Sequence, residues 1–237
     1  MSNRELALKL ATEFCVSHGT WDVLPTAQIF LDFLEEKPKI SVPEFVVSKD
    51  PKSFMKKLFI TTPYDGIIPF KTSEKQDRIF EFLTGYQNSI IKTKDRQAGL
   101  TTILSAYALW YCLFNSNKKV FIISENHSMA QYTIKNILEI LSHSNIEYSM
   151  YDKYSITFKN GTKLFSRAAS SDTLRGYSID MLIVQDYKYI SHKYCEDLWN
   201  SMWPAITSKE GKIIFGSFDG ELSPFDNLLS QFPVLTV

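Results

Sequence analysis

"KDRQAGLTT", Lys94 to Thr102, lies between the apolar run "SIIKT" (89–93) and an amphipathic segment that continues to about Asn115. The order is strand, polar turn, helix. A turn of this kind holds phosphate when glycine-containing backbone aims its N–H groups at an anion in front of a helix N-terminus. A lysine then adds positive charge, and a Ser/Thr hydroxyl serves a magnesium ion. Gly99, Thr101 and Thr102 suit that pattern, but Leu100 stands where the lysine belongs, and Lys94 occupies the place of the first glycine. Alone, the motif is weak, and an ordinary helix start is the default reading of it.

Working outward, strands and helices alternate. "KVFIIS" (119–124), "MLIVQ" (181–185) and "KIIFGS" (212–217) read as buried strands, with helices across 127–142 and 194–203. "YSITF" and "TKLFS" flank Asn160-Gly161, a two-residue hairpin signal. Continuous apolar strands separated by helices predict a mostly parallel α/β sheet covered on both faces. Residues 1–45 read as a separate helical hairpin, "ELALKLATEFCVSH" and "TAQIFLDFLEE", followed by a linker bracketed by Pro38 and Pro43.

Composition excludes several classes. Lys+Arg and Asp+Glu are equal at 26 each, so nucleic-acid contact must come from local patches or assembly rather than a basic arm. The three scattered cysteines, Cys15, Cys112 and Cys195, suggest a reducing compartment, not a disulfide framework. No apolar run reaches spanning length, so no membrane is expected. His192 and Cys195 make a poor metal pair, and the other histidines have no partner at ligand spacing.

The turn has companions along the chain. "MLIVQD" ends in Gln185-Asp186, where an ATPase strand carries its acidic pair. "KIIFGSFDG" ends in small and polar residues, and "SEKQDRIFEFL" offers Gln76, whose amide can read adenine. "SSDTLRGYS" places Arg175 in a loop ahead of the acid strand.

Together these segments resemble, in matching order from about Phe54 to Asp226, the ATPase domain of the tailed-phage terminase large subunit, a DNA-packaging motor. The resemblance rests on R-Q-x-G-x-T-T in "RQAGLTT", on "FNSNKKVFIISENHSMA", on S-x-D-x-x-R-G before the acid strand, and on "WNSMWPAI". It implies a P-loop NTPase fold of the terminase or RecA-like ASCE type over 46–237, preceded by the helical appendage 1–45. It further implies ATP and Mg2+ as cofactors and a host-cytoplasmic location for a phage product. The implied partners are a homo-oligomeric ring, other terminase or portal proteins, and double-stranded DNA.

Residue by residue, Gln76 maps to the adenine-reading position. Lys94, Arg96, Gln97, Gly99, Leu100, Thr101 and Thr102 map to the phosphate loop, with Arg96 as its arginine and Thr101 as the Mg2+ hydroxyl. Arg175 looks like the arginine offered to a neighbouring subunit, unless it pairs with Asp172 or Asp180. Gln185 and Asp186 occupy the metal and catalytic acid positions, and Ser217 lies in the coupling segment.

The chain also departs from the pattern. Leu100 removes the phosphate lysine, for which Lys94, with Lys92 on the same strand parity, is the available substitute. Gln185 replaces the magnesium-side carboxylate. The sequence stops at Val237, without the nuclease domain, so DNA cutting by the family's route is not expected. Two readings result: an ATPase with weak hydrolysis, or a pseudo-ATPase derived from a terminase that regulates or binds a partner.

Overall fold

The computed structural model describes residues 50–237 apart from 63–64, 96–97 and 221–222, together with Glu5, Leu8, Lys9 and Thr12 near the start. The chain divides into two units, Met1–Glu44 and Phe45–Val237. In the first unit the four described residues are helical, and the Thr12 hydroxyl donates to the Leu8 carbonyl at 2.8 Å. The rest of the expected 1–45 hairpin lies outside the described residues.

The second unit opens with a short helix α1 (Pro51–Met55), a two-stranded ribbon of β1 (Phe59–Thr62) and β2 (Gly66–Pro69), and helix α2 (Glu74–Gly85). Alternation follows: β3 (Asn88–Thr93), α3 (Leu100–Phe114), β4 (Lys119–Ser124) and α4 (His127–His143). Next come a meander of β5 (Met150–Asp152), β6 (Ser155–Thr157) and β7 (Lys163–Ala168), then β8 (Met181–Gln185), a 3-10 turn (Tyr187–Tyr189) and α5 (His192–Thr207). The chain closes with β9 (Lys212–Phe218), α6 (Phe225–Leu228) and β10 (Val234–Thr236).

Eight of these strands form one sheet in the order β10-β3-β9-β8-β4-β7-β6-β5. All neighbours from β10 to β7 are parallel, and only the β7-β6-β5 margin is antiparallel. The architecture is therefore the mostly parallel α/β sheet that the apolar runs predict. Successive strand residues point to opposite faces, and here both faces are buried. Ile91, Val120, Ile122, Met181, Ile183 and Ile214 join the core beneath α3 and α4. Ile90, Phe121, Ile123, Leu182, Val184, Ile213 and Phe215 join the opposite core with Leu198, Met202 and Ile206 of α5. Each such side chain contributes roughly 1.5–3 kcal/mol on burial, which is why these strands read as unbroken apolar runs.

Topology brings the site together. From β3 the chain crosses to β4, leaving two strand places that β8 and β9 later fill. The parallel strands then end at one common edge, the usual ligand-binding edge of such sheets. The Asn160-Gly161 hairpin differs from its sequence reading. β6 and β7 do pair around it, and Gly161 has φ +80°, but Phe158 N–H donates to the Thr162 carbonyl at 2.9 Å, so three residues rather than two make the turn. The Asn160 amide instead donates to the Cys112 and Leu113 carbonyls, at 2.7 and 3.2 Å, and so caps the end of α3.

Candidate nucleotide site

Gly99 is the residue immediately before α3, at φ +70°, ψ 25°. This left-handed conformation costs any residue with a Cβ about 1–2 kcal/mol, and it lets the chain turn from β3 into the helix. Gly99, having no side chain, gives this helix start no N-cap hydrogen bond. The N–H groups of its first turn have no intrahelical acceptor and form an electropositive end.

The turn is held from outside. Gln76 completes a capping box with Ser73: Ser73 N–H donates to Gln76 Oε1 at 3.0 Å, and Gln76 N–H donates to Ser73 Oγ at 3.3 Å. The Gln76 Nε2 donates to the Ala98 carbonyl at 3.1 Å. Both ends of its amide are thus engaged, which fastens α2 to the turn. Lys75 pairs with Asp95, and Lys94 N–H donates to the Val237 carbonyl at 2.9 Å. Arg96 and Gln97 lie outside the described residues, and the Lys94 side chain is exposed.

Leu100 packs inward. A Cβ built on Gly216 of β9 would lie 2.7 Å from Leu104 Cδ1 and 3.4 Å from Leu100 Cδ2. The leucine in the lysine position therefore covers a glycine of the adjacent strand and belongs to the apolar core under α3. Thr101 and Thr102 are half-buried, and Thr102 lines a small cavity of about 80 Å³ with Ser105, Tyr132 and Asn136.

Gln185 ends β8 in register with Gly216, so it lies beside the Leu100 contact. It is buried, and its Oε1 is 3.2 Å from the Thr133 hydroxyl of α4. Its Nε2 meets no partner among the described residues, and the same holds for the buried hydroxyls of Ser124 and Ser217. Asp186 follows at φ 51°, also left-handed, with no capping bond from its side chain. Burial first, then the nearby Glu125 carboxylate, push its pKa above the ordinary carboxylate value. Ser124, Glu125, Met129, Gln185, Asp186, Tyr189 and Phe218 line a cleft of about 330 Å³.

The fold thus brings Gln76, Gly99, Leu100, Gln185 and Asp186 to one edge. β9 alone separates β3 from β8, so the turn and the acid strand are about 10 Å apart at ordinary strand spacing. Arg175 is exposed on the β7–β8 loop, its Nε 3.0 Å from Asp172; Asp180 pairs with Lys118 instead. Lys92 is engaged with Asp226 at 3.6 Å. Its strand parity is that of Ile90, which faces the α5 core, so it lies on the side away from α3.

Sequence reading missed a charge cluster beside the site. The Lys188 ammonium, 5% exposed, lies 3.4 Å from Asp219 and 3.9 Å from Asp226. Asp226 also accepts from the Tyr187 hydroxyl at 3.1 Å and from Ser223 N–H at 2.9 Å. It missed Glu125 as well, although a polar residue directly after a buried parallel strand was the available signal.

Solved structures give the fold its context. The large terminase ATPase domain of Thermus phage P74-26 superposes with TM-score 0.55 at 15% identity, over 68% of this chain and 70% of that one. This is the terminase ATPase fold. The large terminase of a thermophilic bacteriophage, solved in complex with ATP-gamma-S, matches with TM-score 0.53 at 14% identity, over 70% of this chain and 44% of that one. The chain therefore spans under half of that full terminase. The same fold extends to the UvsW helicase of bacteriophage T4, with TM-score 0.53 and 16% identity over 97% of this chain and 77% of that one. No protein-family model matches the sequence.

Proposed function

We propose that this chain is a terminase-like ATPase-domain protein of viral DNA packaging, which binds ATP at the turn before α3 and hydrolyses it weakly or not at all. One observation carries the reading: a helix start behind a left-handed Gly99 shares its sheet edge with Asp186, one strand removed. In this reading the first-turn N–H groups of α3 receive phosphate oxygens, and the exposed Lys94 supplies charge at the mouth of the loop. Gln76 releases the Ala98 carbonyl or keeps it while reading the base. Asp186 orients or accepts a proton from the attacking water. Arg175 serves a neighbouring copy once it leaves Asp172.

The oxygen-bearing residues at this edge, Thr101, Gln185 and Asp186, suit Mg2+, a hard cation that takes one or two carboxylates together with substrate phosphates. When bound it would neutralise charge on the phosphates. The ATP-gamma-S complex of the thermophilic phage terminase supports the choice of nucleotide. A ring, a portal or terminase partner, double-stranded DNA and the host cytoplasm belong to the same proposal, with residues 1–45 as its helical appendage. No helix among the described residues is long and apolar enough to cross a membrane.

A second reading has its own observation. Leu100 is packed over Gly216 and Gln185 is neutral, so two charges that would act on the phosphates and metal are replaced by apolar contact and amide. That arrangement suits a pseudo-ATPase that regulates or binds a partner. Direct ATP affinity, and steady-state phosphate release with and without DNA, separate the readings. Turnover abolished by Asp186→Ala and Lys94→Ala supports the enzyme. Binding with phosphate release at background supports the pseudo-ATPase. Absence of ATP binding removes both.

A further inference from the structure

The cleft between the ends of β4 and β8 contains more polar chemistry than the acid strand alone explains. Thr133 is buried on α4, and its hydroxyl is 3.0 Å from the Met129 carbonyl and 3.2 Å from the Gln185 side chain. A threonine hydroxyl has one hydrogen to donate. The Met129 carbonyl has only lone pairs to offer, so it takes that hydrogen. The contact to Gln185 must then run the other way, with an amide N–H donating to Thr133. Which end of a side-chain amide is nitrogen follows from such bonding.

Turning the Gln185 amide over gives the Thr133 hydroxyl a donor and pairs the amide N–H that was left alone. The amide oxygen then occupies the unpartnered position. It joins the unpartnered Ser124 hydroxyl and the carboxyl groups of Glu125 and Asp186, all four residues lining the same cleft.

We propose that Ser124, Glu125, Gln185 and Asp186 form an all-oxygen site for a divalent cation, in which Glu125 supplies the second carboxylate that the acid strand lacks. Hydroxyl, amide oxygen and carboxylate are the donors that magnesium and manganese prefer. Among the described residues no three acidic, histidine or cysteine side chains converge, so the protein contributes two carboxylates and leaves positions for water or phosphate. The electrostatics agree: two carboxylates in a cleft repel one another, and a bound cation relieves the repulsion. The strand β4, which carries Ser124 and leads into Glu125, pairs directly with β8, which ends in Gln185. The site is therefore built across two neighbouring strands rather than at the tip of one. The proposal rests on the nucleotide-site reading for its purpose, a cation beside the phosphates, but its test needs no nucleotide.

The test is titration of the full chain with manganese, free ion being followed by electron paramagnetic resonance. Saturable binding that magnesium competes away is expected. Glu125→Gln and Ser124→Ala should each weaken it roughly tenfold or more, and Glu196→Gln, on the exposed face of α5, should leave it unchanged. Glu125 is exposed, so its variant keeps the fold, which circular dichroism verifies. Wild type that takes up no manganese, or a Glu125→Gln variant that binds as wild type does, overturns the proposal. ATP affinity measured in the same samples keeps the two ideas apart. ATP binding without manganese removes the cation site and leaves the nucleotide reading; Glu125-dependent manganese binding without ATP does the reverse.

Discussion

Replacing Gly99 by alanine probes the turn on which the nucleotide reading depends. Two costs act at this position. The left-handed backbone, φ +70°, penalises a Cβ by about 1–2 kcal/mol. The new methyl would also lie 2.4 Å from Gln76 Nε2, which must move and give up its 3.1 Å bond to the Ala98 carbonyl, at about 1 kcal/mol. The expected destabilisation is about 2–3 kcal/mol, and about 4–12 °C in melting temperature for a unit of this size. Gly176→Ala isolates the first cost, since Gly176 has φ +77° and nothing within 4 Å of an added Cβ. Denaturant titrations of both variants, and of Gly99→Ala combined with Gln76→Ala, measure the two terms. The double variant should cost less than the sum of its parts, because the clash and the bond disappear together. A Gly99→Ala variant no less stable than Gly176→Ala, or one that binds ATP as well as wild type, would refute this account of the turn.

Further outcomes are expected elsewhere. Leu100→Lys together with Gln185→Asp should raise steady-state phosphate release above wild type if the scaffold is competent; no gain would place the deficit outside these two charges. Arg175→Ala should change stability by less than about 0.5 kcal/mol, as its pair with Asp172 is exposed. If the arginine serves a neighbouring copy, phosphate release by the assembled protein should nevertheless fall, whereas an unchanged rate would assign it to the surface. Burial holds the Lys212 ammonium down at about 8 while it donates to the Leu83 and Tyr86 carbonyls at the end of α2. Between that value and the unfolded pKa of about 10.4, the unfolded chain binds more protons, so stability should rise with pH across this window. Lys212→Met should flatten the rise, and parallel pH profiles of equilibrium unfolding would show a persistent slope if Lys212 were not its source.

The sheet was legible because its parallel strands are buried on both faces, which leaves unbroken runs such as "KVFIIS" and "MLIVQ" in the sequence. The smaller pieces were not. β5, β10 and the β1–β2 ribbon are three or four residues long and partly exposed, too short for periodicity to register. At the site, Gly99 and Asp186 could be located from flanking strand and helix signals. The fastening of Gln76 to Ala98 could not, since it joins positions 22 residues apart. Lys92 shows the limit most clearly. Strand parity gives its face, but its partner, Asp226, lies far along the chain and reaches it only after β9 has inserted beside β3.

Lys92, Lys188, Asp219 and Asp226 have one further implication, for the history of the chain. Two cations and two anions of no net charge share a mostly shielded space at the end of three strands. Losing Lys188 leaves Asp219 without its ammonium, and losing Asp226 leaves Lys92 without its carboxylate, in a medium that tolerates lone ions poorly. Drift is therefore constrained most at the two central positions, Lys188 and Asp226, and relatives should exchange these two together while Lys92 and Asp219 vary more freely.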